Sequence, residues 1–350
     1  MKITFRWYGS SDKITLDMIR QIPAVDGIVT AVYDVPPGDV WRFDSVAQLK
    51  EACKKAELSC EVIESVPVHE QIKLGGPLAK PYIENYKENL RILGQQGIKC
   101  VCYNFMPAFD WVRSDLNFAY PDGSHALAYK HDEILKIDPA NQNMSLPGWD
   151  ASYSKTELKA LLNKYKAIDE EKLWKNLEVF LSEIIPVAAE NGINMAIHPD
   201  DPPWSLFGLP RIITNASAVS RLLKLVDHPA NGLTFCTGSF AAAKENNLLD
   251  IIKVATGRIH FVHLRNVKRE NARDFYETAH LSKCGDIDMY AVLKELIDAG
   301  FDGYIRPDHG RMIWGEAKCG GYGLYDRALG ASYIAGLVEA ILKRRIIDNE

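Results

Sequence analysis

The sequence predicts an α/β fold, a (β/α)8 TIM barrel with a helical and loop insertion capping its carboxyl-terminal face. Short β-rich runs alternate with longer helical patterns in roughly eight units, the order that buries a parallel sheet beneath helices. One stretch breaks the rhythm, from Met106 to about Ala167, with aromatics, Pro, Gly and Asp in place of periodicity. The last four strand-like runs each stop at a residue type that binds metals.

The elements follow in order. ITFRWYG from Ile3 reads as the first strand, with a short helical segment at Leu16 to Ile22 and a second strand, GIVTAVYD, from Gly27. Helical spacing runs from Ser45 to Glu57 and is followed by SCEVIES from Ser59. The helix from Lys80 is stopped by Gly97 and the one from Glu170 to Asn191 by Gly192, the position where a helix most readily turns left-handed. Between them lie the strand IKCVCYNF from Ile98 and the insertion, which carries a small helix at Lys155 to Lys166. A connection this long is rarely structureless unless it works as a lid. The second half gives INMAIHPDDPP from Ile193, a helix at Ala216 to Val226 and GLTFCTGS from Gly232. A helix at Ala241 to Ala255 leads to IHFVHLRNV from Ile259. DIDMYAVLKELIDAG opens with Asp286 as an N-cap, DGYIRPDHG begins at Asp302, and a last helix spans Asp326 to Arg345. No Gly/Ser linker, charge block or low-complexity segment divides the chain. One barrel over 1–350, capped by about 106–168, is expected.

Composition narrows the partners. The 350 residues are 47% hydrophobic and 25% charged with a net charge of −5, which argues against nucleic acid or an anionic membrane surface. No basic segment leads into an apolar run at the start, and no apolar run reaches the ~20 residues that span a bilayer. The seven cysteines are scattered without knuckle spacing, which suits a reducing cytoplasm.

In a barrel of this kind the active face is built from the strands' carboxyl ends. Those of the last four are His198 in AIHPD, Cys236 in TFCTG, His263 in FVHLR and Asp308 in IRPDH. Taken singly, such a Cys is usually packing and such a His a hydrogen-bonded rim residue. Four ligand types on four successive strand ends are hard to assign to chance. Parity agrees, because His198 shares its face with Ala196, Cys236 with Thr234, His263 with Phe261 and Arg265, and Asp308 with Arg306. Two imidazoles, a thiolate and a carboxylate favour Fe2+, Mn2+, Co2+ or Zn2+ over Mg2+. His309, beside a ligand, is a natural proton carrier. Arg306, Arg265 and Arg311 are candidates to neutralise a substrate carboxylate. Tyr322 and Tyr325, on the glycine-flanked loop CGGYGLYDR, are both acid/base candidates. His125 in the insertion and Asn104 near the end of the fourth strand are further candidates for substrate contact. His228, His260, Cys100 and Cys102 read as structural.

The strings FRWYG, GIVTAVYDVPPGDVW, GIKCVCYNFMPAFDWVR, MAIHPDDPPWSLFGLPRI, TFCTGSF, VHLRNV, YIRPDHGRMIWGE and GYGLYDRALG together resemble the mannonate dehydratase family of hexuronate (glucuronate) catabolism. The resemblance runs from near the first residue to the last helix. It implies a metal-dependent barrel related to the xylose-isomerase-like enzymes. The implied reaction is dehydration of D-mannonate to 2-dehydro-3-deoxy-D-gluconate with Mn2+ or Fe2+. It places the metal on His198, Cys236, His263 and Asp308 and the acid/base roles on His309 and Tyr322, in an order the sequence leaves open. Where the family pattern reads PGYG this chain has GGYG. Phe109, Trp111, Tyr120 and Trp149 of the insertion are expected to close over the site, and a homodimer is expected. Two alternatives remain at this point. One is a sugar isomerase or epimerase on the same barrel, against which the thiolate and the arginines speak. The other is a non-catalytic sugar-acid sensor, against which the intact ligand quartet and His309 speak.

Overall fold

The computed structural model describes residues 1–139, 153–316 and 320–349. Among them twelve strands form, in chain order β1 (Lys2–Arg6), β2 (Gly27–Thr30), β3 (Ser59–Glu64), β4 (Cys100–Tyr103), β5 (Asp115–Ala119), β6 (His125–Tyr129), β7 (Asn194–Ile197), β8 (Asn231–Cys236), β9 (Ile259–Leu264), β10 (Asn266–Arg269), β11 (Phe275–Thr278) and β12 (Tyr304–Pro307). Eight of these close a parallel barrel in the order β1-β12-β9-β8-β7-β4-β3-β2. The expected barrel is present, and β12 ends at Pro307, which has no N–H to carry the ladder further.

Alternate strand residues fill the barrel. Val29, Val62, Cys100, Cys102, Ala196 and Phe261 form a buried cluster in its interior, and the Thr234 hydroxyl donates to Cys102 Sγ at 3.2 Å. Outside, the helix Glu170–Glu190 lays Phe180 against Tyr86, Tyr103 and Phe105. Asp169 caps its start by accepting from the Lys172 amide at 2.8 Å. Gly192, at φ 67°, ends it so that the Ile193 amide reaches back to Ala188.

Three expectations are corrected. The helix read over Ala241 to Ala255 is two, Thr237–Ala241 and Leu248–Val254, because Asn247 starts a new one by accepting from the Leu249 amide. The cap of Met289–Asp298 is Asp288 rather than Asp286, whose carboxylate is held by Lys268 and the Arg269 amide. The insertion, expected as helix and loop, also contains strands. Its strands β5 and β6 join β11 and β10 in a four-stranded antiparallel sheet, order β10-β11-β6-β5. Since β10 follows β9 after a single residue, the cap is stitched to the barrel strand that carries His263. Trp149 lies outside the described residues. No described helix is long and apolar enough to cross a membrane.

Candidate active site and metal centre

Barrel register brings three of the four predicted ligands to one point and sets the fourth, Asp308, beside Cys236. Cys236 pairs with His263 across β8 and β9, and Arg306 with His263 across β12 and β9. His198 follows β7 directly, its amide donating to Tyr103 at 2.6 Å. The ligand atoms of His198, Cys236 and His263 all lie within 4.8 Å of one another, and Asp308 Oδ2 is 3.7 Å from Cys236 Sγ. The Pro199 carbonyl holds His198 Nδ1 at 2.7 Å and so fixes the ring. His263 is fully buried, and its Nε2 has no hydrogen-bond partner among the described residues, with Glu64 3.4 Å away.

The electrostatics prepare the same point for a cation. Burial pushes the Cys236 thiol up, but the Arg265 guanidinium and the His198 imidazole bring it down to about 5. Burial opposes a charge on His198, yet Cys236 and Asp308 raise it to about 9. Arg306 overcomes the burial of Asp308 and holds that carboxyl well below its ordinary value. A buried nitrogen without a partner, an imidazole and a thiolate within reach of one point, and a nearby carboxylate fit a divalent transition metal. Glu64, Cys102 and His263 form a second such group. There, however, Arg306 occupies both Glu64 oxygens and burial keeps the Cys102 thiol protonated.

Above the ligands lies a cavity of about 210 Å3 whose wall includes His198, Asp308, His309 and Tyr322. His309 Nδ1 is 2.9 and 3.0 Å from the two oxygens of Glu277, and its Nε2 is 3.0 Å from the Tyr322 hydroxyl. An ionised carboxylate only accepts, so Nδ1 carries the proton and Nε2 faces the phenol. Burial pushes the Tyr322 phenol well above its usual value. Gly321, at φ 85°, makes this approach feasible, since a Cβ there would stand 2.9 Å from His309 Cβ. Gly320, at φ 56°, takes a conformation closed to the proline of the family pattern. A second close approach is at Gly238, where a Cβ would strike Arg265 Nε at 2.1 Å. The Trp111 ring sits 5.0 Å from that of His309. A larger cavity, about 500 Å3, opens at the opposite end of the barrel near Lys2, Lys99 and Gly303, away from this chemistry.

The other candidates divide. Asn104, Arg265 and Arg306 line the cavity, but both guanidiniums are committed to protein carboxylates. Arg306 holds Glu64 at 3.0 Å and Asp308 at 2.8 Å. Arg265 holds Asp201 and reaches Glu277 and Asp308. Three candidates are not brought to the wall. Arg311 pairs with Asp326 and Asp122. His125 is engaged through its backbone with Met312. Tyr325 is exposed against Trp314, which separates it from Tyr322. Phe109 packs on Phe207, and the Tyr120 hydroxyl donates to the Glu277 carbonyl, so Trp111 is the cap aromatic that reaches the cavity among the described residues. Cys102, read as packing, is part of the wall. The sequence reading missed Arg6, Tyr8, Glu64, Asp201 and Glu277. Glu64 ends β3 as the ligands end their strands, so the strand-end rule extended to the first half of the barrel finds it. Asp201 stands in PDD three residues past His198. Glu277, on a short hairpin, carries no such signal.

A mixed nitrogen, sulfur and carboxylate centre at barrel strand ends, beside a histidine–tyrosine pair, is the construction of a metal-dependent (β/α)8 enzyme. Solved barrels such as D-psicose 3-epimerase from Clostridium cellulolyticum H10 share the fold, with a TM-score of 0.57 at 14% identity over 98% of this chain and 97% of that one. The chain belongs to the D-mannonate dehydratase family, whose model matches residues 1–347. Mannonate dehydratase of Streptococcus agalactiae serotype V is 55% identical over 98% of this chain and 99% of its own. That of Thermotoga maritima is 53% identical over 99% of each. The crystal structure of mannonate dehydratase from Streptococcus suis serotype 2 superposes with a TM-score of 0.92 at 50% identity, covering 99% of this chain and 96% of that one. The activity is that of a hydro-lyase removing water from D-mannonate.

Proposed function

We propose that dehydration runs through His309 as base and Tyr322 as acid, over a Mn2+ or Fe2+ ion held by His198, Cys236, His263 and Asp308. The observation that carries this reading is the Glu277–His309–Tyr322 line, with contacts of 2.9 Å and 3.0 Å. Bound there, the metal supplies positive charge that stabilises the carbanion character developing beside the substrate carboxylate. Glu277 keeps the proton on Nδ1, so His309 accepts at Nε2 and takes the proton from C2 of the sugar acid. Tyr322, kept protonated by burial, donates to the hydroxyl leaving C3. Trp111, in the cap formed by about 106–168, shields His309 from bulk water. The product is 2-dehydro-3-deoxy-D-gluconate.

The order of the two roles is tested in D2O with metal-loaded enzyme, assayed anaerobically with Fe2+ and Mn2+ in parallel. His309→Asn should neither exchange the C2 hydrogen nor release the keto acid. Tyr322→Phe should still exchange C2 while elimination falls by about 10²–10⁴-fold. The reverse pattern would exchange the two assignments.

A further inference from the structure

Three arginines of the cavity wall carry buried nitrogens without a hydrogen-bond partner among the described residues, Arg6 at two positions and Arg265 and Arg306 at one each. Arg6 ends β1 and is 8% exposed, and among the described residues its Nε and Nη1 are buried without a hydrogen-bond partner. Glu64 Oε2 stands 3.2 Å from Nη1, and the Tyr8 ring covers the guanidinium at 4.9 Å. Arg327 donates to the Arg6 carbonyl at 3.1 Å and to the Tyr322 carbonyl at 2.7 Å, so one buried side chain steadies both residues. Buried donors of this kind are rare in a finished structure unless something else supplies the acceptor.

The pairing of the buried charges leaves Arg6 with a single carboxylate partner among the described residues, Glu64, so an anionic acceptor fits its remaining donors. Arg6, Arg113, Arg265 and Arg306 face Glu64, Asp201, Glu277 and Asp308, and the last three guanidiniums are each engaged by two or more of these carboxylates. Glu64 lies between Arg6 and the ligand His263, 3.2 and 3.4 Å from each, so an anion at Arg6 sits next to the metal centre.

We propose that Arg6 is the specificity residue that receives the carboxylate of the sugar acid, selecting acids over neutral polyols of the same length. This rests on the reading of the cavity as the place of dehydration, and deepens it.

The test is Arg6→Met and Arg6→Lys in metal-loaded enzyme. The KM for D-mannonate should rise about ten- to a hundredfold in Arg6→Met, the loss of one or two hydrogen bonds to a charged group, and far more than kcat falls. The inhibition constant of D-mannitol, which has no carboxylate, should stay within about twofold. Arg6→Lys, which keeps the charge and loses the planar fork, should fall between. Metal content and near-ultraviolet circular dichroism should match the unsubstituted enzyme in Arg6→Lys even if Arg6→Met folds poorly. Calorimetric titration of D-mannonate into Tyr322→Phe, with and without Arg6→Lys, reads binding apart from turnover. An unchanged KM in both variants overturns the proposal, as does equal weakening of D-mannonate and D-mannitol, or loss of metal in step with loss of affinity. Failure of the acid–base reading shows instead as full turnover by Tyr322→Phe.

Discussion

Cys236 combines two properties that a serine in its place would lack. Its sulfur is a soft donor, and Arg265 with His198 draws it to the thiolate at a depth where burial alone would keep it neutral. Cys236→Ser should therefore bind Fe2+ and Mn2+ more weakly and shift preference toward harder ions such as Mg2+. Metal titrations followed by calorimetry check this, and unchanged affinity and selectivity would remove the thiolate from the ligand set. At this scale the sequence was most legible where side-chain parity and chain termination act together. His198, Cys236, His263 and Asp308 each stand at or beside the end of a strand, and His198 and Asp308 line the cavity. Arg311 misled because it is only five residues from Arg306. Past Pro307 the chain leaves the ladder, and Asp326 at the start of the last helix captures the guanidinium at 3.2 Å. Arg6 was hidden for the opposite reason. A single arginine after an apolar strand looks like a rim residue until its missing acceptors are seen.

Among the elements, the hairpin of β10 and β11 contributes most beyond what the pattern revealed. Its strands are four residues each, NVKR and FYET, too short to show a period against the polar turn between them. Their stability comes from pairing with β6 of the insertion, a contact distant in sequence and invisible to local spacing. The pairing carries Glu277 to His309, where Arg113 and Arg265 also hold it, and His309 together with those guanidiniums offsets its burial and lowers its pKa. Three buried donors thus share one carboxylate, and His309 keeps its tautomer through a residue of the cap sheet. Glu277→Gln preserves the shape but removes the charge that His309 Nδ1 faces. We expect kcat to fall about 10–100-fold, the usual cost of losing a supporting partner, with metal content unchanged. Steady-state kinetics beside metal analysis decides this. Loss of metal at unchanged kcat per bound ion would make Glu277 a support of the centre instead of the proton carrier.

The whole molecule keeps its core and its charges in separate places. The eight strands close around Val29, Val62, Cys100, Cys102, Ala196 and Phe261, with none of the proposed ligands in that cluster. The ligands instead join the ends of β7, β8, β9 and β12, so an ion there ties together segments from His198 to Asp308 that packing already brings close. Such a tie stabilises by mass action rather than by building the fold. A ligand of the folded state at about a hundredfold over its Kd contributes about 2.7 kcal/mol. Enzyme stripped by a chelator should therefore keep its far-ultraviolet circular dichroism but melt several degrees lower, and Mn2+ should restore the melting temperature in a concentration-dependent way. Cys236→Ser should narrow the gap between stripped and loaded forms, since less binding energy remains to be lost. A melt that ignores the metal at saturating concentration, in a protein that analysis shows to be loaded, would mean the ion binds elsewhere than at these four strand ends.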